Sequence, residues 1–272
     1  MNQSKTYARV LTIAGSDSGG GAGIQADLKT IAANGCYGAS VITALTAQNT
    51  LGVTGIHAVP VDFVAAQMDA VLGDIGANAV KIGMLFSPEL IRTVAAGLTR
   101  HGVRTIVLDP VMVAQSGDKL LQDEAIDALK RELIPLATLI TPNLPEASVL
   151  LGRDIDTAEA ARAAVMDLAA LGCENVLVKG GHLESGDSDD TLLIGPENRI
   201  VTLRGERIPT RNNHGTGCTL SSAIASNLAK GHDVETAVRR AKEYISGAIR
   251  AGAAYVIGKG HGPVHHFFKF FM

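Results

Sequence analysis

The chain has 272 residues, 46% of them apolar and 19% charged, a composition that supplies a large buried core and excludes a disordered chain. Lys and Arg number 24 against 27 Asp and Glu, no basic run occurs, and six Phe, four Tyr and no Trp leave few stacking platforms, which argues against nucleic acid as the main partner. The three cysteines, Cys36, Cys173 and Cys218, form neither a CxxC pair nor a metal-ligand spacing, so a reducing, cytoplasmic compartment is expected.

In chain order, Arg9–Ala14 reads as a short buried strand, reached without the apolar core of a signal peptide. A glycine loop follows, then a helix-period segment over Gly23–Ala33. Thr30–Val61 carries no Asp, Glu, Lys or Arg, but Asn34, Gln48, Asn49 and several glycines break it, so it reads as buried core with a strand at Ala39–Thr43 rather than as a membrane span. Strands at Ala79–Met84, Thr105–Asp109, Thr138–Thr141 and Asn175–Lys179 alternate with helices at Asp62–Leu72, Ser87–His101, Asp123–Leu133 and Thr157–Leu171. Pro88 after Ser87, and Asp156-Thr157 before Glu159, are helix-start signals. Thr191–Ile194 and Arg199–Leu203, split by Gly195-Pro196-Glu197-Asn198, predict an edge hairpin. Two helices close the chain, about Thr216–Lys230 and Val234–Val256. Apolar strands alternating with helices predict an α/β fold: one domain, residues 1–272, with a mostly parallel sheet covered on both faces and an antiparallel edge. No linker, repeat or low-complexity tract divides it.

Ligands of open α/β sheets bind beyond the carboxyl ends of the strands, and there the informative loops fall. Five glycines in Gly15–Gly23 let backbone approach a ligand closely, bracketed by Asp17 and Asp27; neither a G-x-G-x-x-G register nor a P-loop is present. Asn143 and Glu146, three apart in Thr141–Glu146, share a side if a helix opens there and suit hydrated Mg²⁺, with Asp109 as a second acidic contact; equally, Glu146 serves as a first-turn acid that stabilises the helix end. Lys179, before Gly180-Gly181-His182, reads as a phosphate contact. In Asn212–Thr219, glycines flank Thr216 and a thiol marks a helix start, where converging N–H groups bind an anion. The helix end is expected to lower the thiol pKa, making Cys218 a base or nucleophile. Cys36 and Cys173 are expected to be buried apolar groups. His261, His265 and His266 read as part of a docked C-terminus rather than a metal site.

Taken together, Ala14–Asp17, Gly21–Asp27, Thr46–Thr50, Lys81–Met84, Asp109–Met112, Thr141–Glu146, Lys179–His182 and His214–Thr219 resemble the hydroxymethylpyrimidine/phosphomethylpyrimidine kinases of the ribokinase-like superfamily, over about Val10 to His266. The resemblance implies a three-layer αβα fold. It also implies ATP- and Mg²⁺-dependent phosphorylation of 4-amino-5-hydroxymethyl-2-methylpyrimidine, and then of its monophosphate, in thiamine biosynthesis. By matching position, Gln48 would hold the aminopyrimidine edge, with Gly15, Asp27, Met84 and Val111 completing the pocket. Asn143 and Glu146 would organise Mg²⁺ and phosphates, beside the acidic contact expected of Asp109, and Lys179, Gly181 and Thr216 would contact the nucleotide. Gly215, Gly217 and Cys218 would form the anion hole and base, the thiol standing where sugar-kinase relatives carry an aspartate. A homodimer is implied as well. A pyridoxal kinase of the same superfamily and a non-catalytic pyrimidine-binding regulator are the alternatives. Ala114–Lys119 and Leu183–Asp190 are candidate lids.

Overall fold

A computed structural model describes residues 5–112, 123–181 and 188–271. Its described residues form one nine-stranded sheet: β1 (Arg9–Asp17), β2 (Tyr37–Asn49), β3 (Gly52–Ala58), β4 (Ala79–Ile82), β5 (Ile106–Leu108), β6 (Leu139–Ile140), β7 (Asn175–Val178), β8 (Asp190–Ile194) and β9 (Arg199–Leu203). The spatial order is β3-β2-β1-β4-β5-β6-β7-β8-β9. Pairings from β2 through β7 are parallel; β3 joins β2, and β8 and β9 join β7, antiparallel.

Strand alternation divides the core in two. Leu11, Ile13, Val80, Ile82, Ile106, Leu108 and Val176 pack on one face, beneath α2 (Val61–Asp74), α3 (Pro88–Arg100), α4 (Asp123–Ala128), α5 (Leu144–Leu151) and α6 (Ala158–Ala169). Val10, Ala79, Val107, Leu139 and Leu177 point the other way, under α1 (Gly23–Ala33), α7 (Thr216–Ala229) and α8 (Val234–Gly252). Burial on both faces is why these strands read as continuous apolar runs. The result is the expected three-layer αβα arrangement.

Helix starts follow their sequence signals: Ser87 accepts from Leu90 N at 3.3 Å and Thr157 from Ala160 N at 3.0 Å. The boundaries differ most at three places. β2 runs through Gln48 and Asn49, and β3 forms a second antiparallel edge, although Gly52–Ala58 shows little strand patterning. Pairing with the overhanging half of β2 makes it a strand. The helix beginning at Asp123 widens into a π turn (Leu129–Leu133) and a 3₁₀ turn (Ile134–Leu136), where Pro135 has no N–H to donate. α8 stops at Gly252 rather than Val256, because the chain returns there: His265 N donates to Ala248 O at 3.0 Å.

The histidine-bearing C-terminus is docked. Tyr244 donates to His266 O at 2.6 Å, and the His266 ring meets Thr219 Oγ1 at 3.1 Å. Cys36 and Cys173 are buried. No helix among the described residues is long and apolar enough to cross a membrane.

Candidate active site

Because β1 pairs with β2 on one side and β4 on the other, the chain reverses direction there, and a crevice opens beyond the strand ends. The crevice is a cleft of about 810 Å³. Gly15, Gln48, Met84, Asp109, Val111, Asn143, Glu146, Lys179, Gly181, Gly215, Thr216, Gly217 and Cys218 all line it. Segments spread over 200 residues of chain thus meet at one place, as the motifs suggested. Of the expected lid segments, Ala114–Lys119 and residues 183–187 lie outside the described residues, as does His182.

Asp27 is the exception among the expected pocket residues. It is fully buried under the cleft rather than lining it. Its Oδ2 accepts from Lys81 Nζ at 2.9 Å and Thr12 Oγ1 at 2.6 Å, and its Oδ1 from Ser222 Oγ at 2.7 Å. α1 presents its carboxylate to the sheet, and β4 presents the matching ammonium. Lys81 is itself 0% exposed. Burial alone would depress its pKa, yet the carboxylates of Asp27 and Asp109 hold it above the ordinary lysine value. The cleft floor therefore holds a fixed ammonium, paired with the Asp27 carboxylate beneath it. Sequence reasoning assigned Lys81 no role, although a lysine inside Ala79-Val80-Lys81-Ile82 was a usable signal, since an unpaired lysine is almost never fully buried.

Asp109, at the end of β5, accepts from Lys179 Nζ at 2.8 Å and Thr141 Oγ1 at 3.1 Å. Burial would raise its carboxyl, but the Lys179 and Lys81 ammonium groups pull it below the usual range. Lys179 also lies 3.8 Å from Glu146 Oε2. α5 does open after Asn143, and the two residues cap it reciprocally: Glu146 N donates to Asn143 Oδ1 at 2.8 Å, and Asn143 N to Glu146 Oε2 at 2.7 Å. Glu146 thus stabilises the helix end while facing the cleft. Burial, with Asp109 nearby, pushes its carboxyl up to about 7 even though Lys179 works against the rise.

The thiol does not behave as its helix position suggested. Cys218 sits in the first turn of α7, but burial, reinforced by the carboxylates of Asp27 and Asp109, pushes it up to about 11 despite the opposing Lys81 charge. Desolvation is the largest of these effects, and it moves Cys218 toward the thiol, opposite to the lowering expected at a helix start. Around it the two glycine loops interlock. Gly215 has φ +78°, and a Cβ there would overlap the Gly21 carbonyl, so only glycine fits. The His214 ring meets Asp17 Oδ2 at 2.8 Å, and the same oxygen accepts from Ala22 N at 2.8 Å and Gly21 N at 3.0 Å. This pin between loops was missed, because nothing in the sequence brings residues 197 apart together. Gly217, on the same turn, would place a Cβ 3.4 Å from both Asp109 Oδ2 and Lys179 Nζ, so the α7 start faces the acid–lysine cluster directly.

Gln48 stands near the end of β2, at a bulge against β3 that falls between Ala47 and Gln48. Ser18 Oγ donates to Gln48 O at 2.7 Å and accepts from Gln48 N at 2.8 Å, clamping its backbone to the first glycine loop. Gln48 and Asp109 thus sit on strands three spacings apart, about 14 Å at the usual interval. That is room for a small ring and a phosphate chain end to end.

Residues 17–265 match the family model for phosphomethylpyrimidine kinase. The chain is 55% identical to a hydroxymethylpyrimidine/phosphomethylpyrimidine kinase of Rhizobium meliloti, over 96% of this chain and 98% of that one. It is 56% identical to a thiamine biosynthesis bifunctional protein of Geobacter sulfurreducens over 94% of its own length, but spans only 52% of that relative. The crystal structure of an ADP complex of Bacillus subtilis pyridoxal kinase, 36% identical, superposes with a TM-score of 0.89 over 97% of this chain and 100% of the other. The fold is ribokinase-like, and the chain belongs to the phosphomethylpyrimidine kinase family.

Proposed function

We propose that this chain, as a single domain, transfers the γ-phosphoryl group of ATP to the hydroxymethyl oxygen of 4-amino-5-hydroxymethyl-2-methylpyrimidine, and then phosphorylates the monophosphate to the diphosphate. The observation that carries this reading is the one cleft that holds a side-chain amide at β2, an acid–lysine cluster at β5–β7 and a glycine–thiol helix start. Gln48 supplies a donor and an acceptor to the aminopyrimidine edge, and Gly15, Met84 and Val111 shape the pocket around the ring. Asp27 acts from below, by fixing Lys81.

Lys179, Gly181, Thr216 and Asn143 are assigned to the nucleotide phosphates. The first turn of α7, with Gly215 and Gly217, offers N–H groups to the charge that develops on the transferring group. Mg²⁺ fits the donor set. No group of three or more His, Cys, Asp or Glu forms a protein cage among the described residues, and Mg²⁺ is ordinarily held by one or two carboxylates together with substrate phosphates. Asp109 and Glu146 are those carboxylates, and the bound ion would neutralise phosphate charge.

At neutral pH Cys218 keeps its own proton, so its sulfur accepts a hydrogen bond from the substrate alcohol and orients it. A loose phosphoryl-transfer transition state demands positioning and charge neutralisation more than a strong base. The test is ³¹P NMR of products formed from the pyrimidine alcohol and Mg-ATP. Absence of both mono- and diphosphate would refute the proposal.

Pyridoxal phosphorylation is the second reading, favoured by the likeness to the Bacillus enzyme, and the ratio of kcat/KM on the two substrates decides between them. A non-catalytic regulator would need neither the acid–lysine cluster nor the anion hole. A cytoplasmic homodimer is also proposed. Exposed Leu45, Leu51, Ile56 and Phe63 on and beside the β2–β3 hairpin support association of two copies, which sedimentation would test.

A further inference from the structure

Thr46 and Gln48 project from the same side of β2, two residues apart, and both line the cleft. Thr46 Oγ1 lies 2.8 Å from the Ser16 carbonyl oxygen and 3.1 Å from Gln48 Oε1. A hydroxyl carries one proton, and a carbonyl has none to offer. The 2.8 Å contact must therefore contain the Thr46 proton, because two bare oxygens at that distance repel. Toward Gln48, Thr46 is left with only a lone pair, so the amide bonds to it after a half-turn that puts Nε2 in the place of Oε1. Oxygen and nitrogen of an amide exchange places by a half-turn about the last side-chain bond, without change of shape.

Neither neighbour is free to adjust. Ser16 lies in the parallel β1–β2 pairing, and its hydroxyl accepts from Gln25 Nε2 at 2.8 Å, while Gln25 Oε1 accepts from Asp17 N at 2.9 Å. The Gln48 backbone is clamped by Ser18 on both its N–H and its carbonyl. The direction of the Gln48 amide is the one freedom left, and Thr46 removes it.

We propose that Thr46 is a specificity-determining positioning residue: by committing its proton to Ser16 it turns the Gln48 carbonyl oxygen and one remaining N–H toward the cleft in a fixed order, which selects rings carrying an amine beside a ring nitrogen. This rests on the kinase function proposed above. An unanchored glutamine serves either order of donor and acceptor by rotating. An anchored one sets oxygen against oxygen when the amine is replaced by an oxo group, and a site built around such a bond rejects the analogue that lacks it.

The test compares the aminopyrimidine alcohol with its 4-oxo counterpart in wild type, Thr46→Val and Thr46→Ser, by kcat/KM with Mg-ATP and by calorimetric Kd without nucleotide. Thr46→Val keeps the shape and loses the hydroxyl; it should lower the amino-to-oxo ratio about tenfold, the order of one neutral hydrogen bond, mainly by admitting the oxo compound. Thr46→Ser keeps the hydroxyl and should stay within about twofold of wild type. An unchanged ratio in Thr46→Val, an equal loss of both ligands, or a Thr46→Ser variant that behaves like Thr46→Val would overturn the proposal. Wild type that binds the amino compound without phosphorylating it refutes the kinase function alone, and the Kd ratios then decide the role of Thr46. Wild type that binds neither compound overturns both.

Discussion

Lys81→Met probes the charge under the cleft floor. The substitution leaves the Asp27 carboxylate in a fully buried site without its cation, 2.9 Å from where the ammonium was. Breaking a buried pair in this way costs roughly 3–5 kcal/mol. Thr12 and Ser222 still donate to Asp27, which favours the lower figure. At roughly 2–4 °C per kcal/mol for a chain of this size class, Tm should fall by about 6–12 °C at pH 7. Adding Asp27→Asn removes the stranded charge and should recover at least half of the loss, because a buried pair replaced on both sides is often close to neutral. Lys81 also opposes the upward shift of Cys218, so iodoacetamide at pH 9 should alkylate Cys218 more slowly in Lys81→Met. Thermal melts of the two variants at pH 7 make the assay. A single variant within about 1 kcal/mol of wild type, or a double variant no better than the single, would refute the reasoning.

Cys218→Ala should lower kcat tenfold or more on the order expected for a lost orienting group, with KM little changed, whereas wild-type kcat should stay flat from about pH 7 to 9. A kcat that climbs tenfold per pH unit over that range would mean that the thiolate is the working form. Glu146→Gln retains an oxygen to accept from Asn143 N, so α5 stays capped. Because burial holds the Glu146 carboxyl near 7, above its ordinary 4.5, ionisation costs stability as pH rises through that window. The variant should therefore melt higher than wild type at pH 8, match it at pH 4, and turn over more slowly. Burial holds His266 near 4, below its ordinary 6.5; the corresponding stability is complete above 6.5 and lost as pH falls toward 4. His266→Gln should flatten the stability–pH curve in that interval, and an unchanged slope would place the acid sensitivity elsewhere.

The alternation of apolar strands with helices was plain in the chain because burial on both faces leaves no polar positions in β4, β5 or β7 apart from Lys81 and Asn175. Capping chemistry announced α3 and α6 for a similar reason, since one side chain close in sequence satisfies a backbone donor. β3 was illegible: Gly52–Ala58 has mixed polarity and becomes a strand by pairing with β2, which is a tertiary event.

Of the site, local motifs identified the loops, and all but one of the expected residues line a common cleft. Asp27 was misplaced because a carboxylate on α1 carries no mark of which layer it faces. Its partners, Lys81 and Ser222, lie 54 and 195 residues away. The thiol at the start of α7 was likewise assigned from a local effect, the helix end, while the larger effect is desolvation. By itself the sequence determined the element order, the family motifs and the chemical types that meet at the strand ends, because these depend on neighbours within a few positions. Only the tertiary structure decided which charges are buried together, where the single hydroxyl proton of Thr46 goes, and whether Cys218 holds its own, since those follow from distances across the sheet and from exclusion of water.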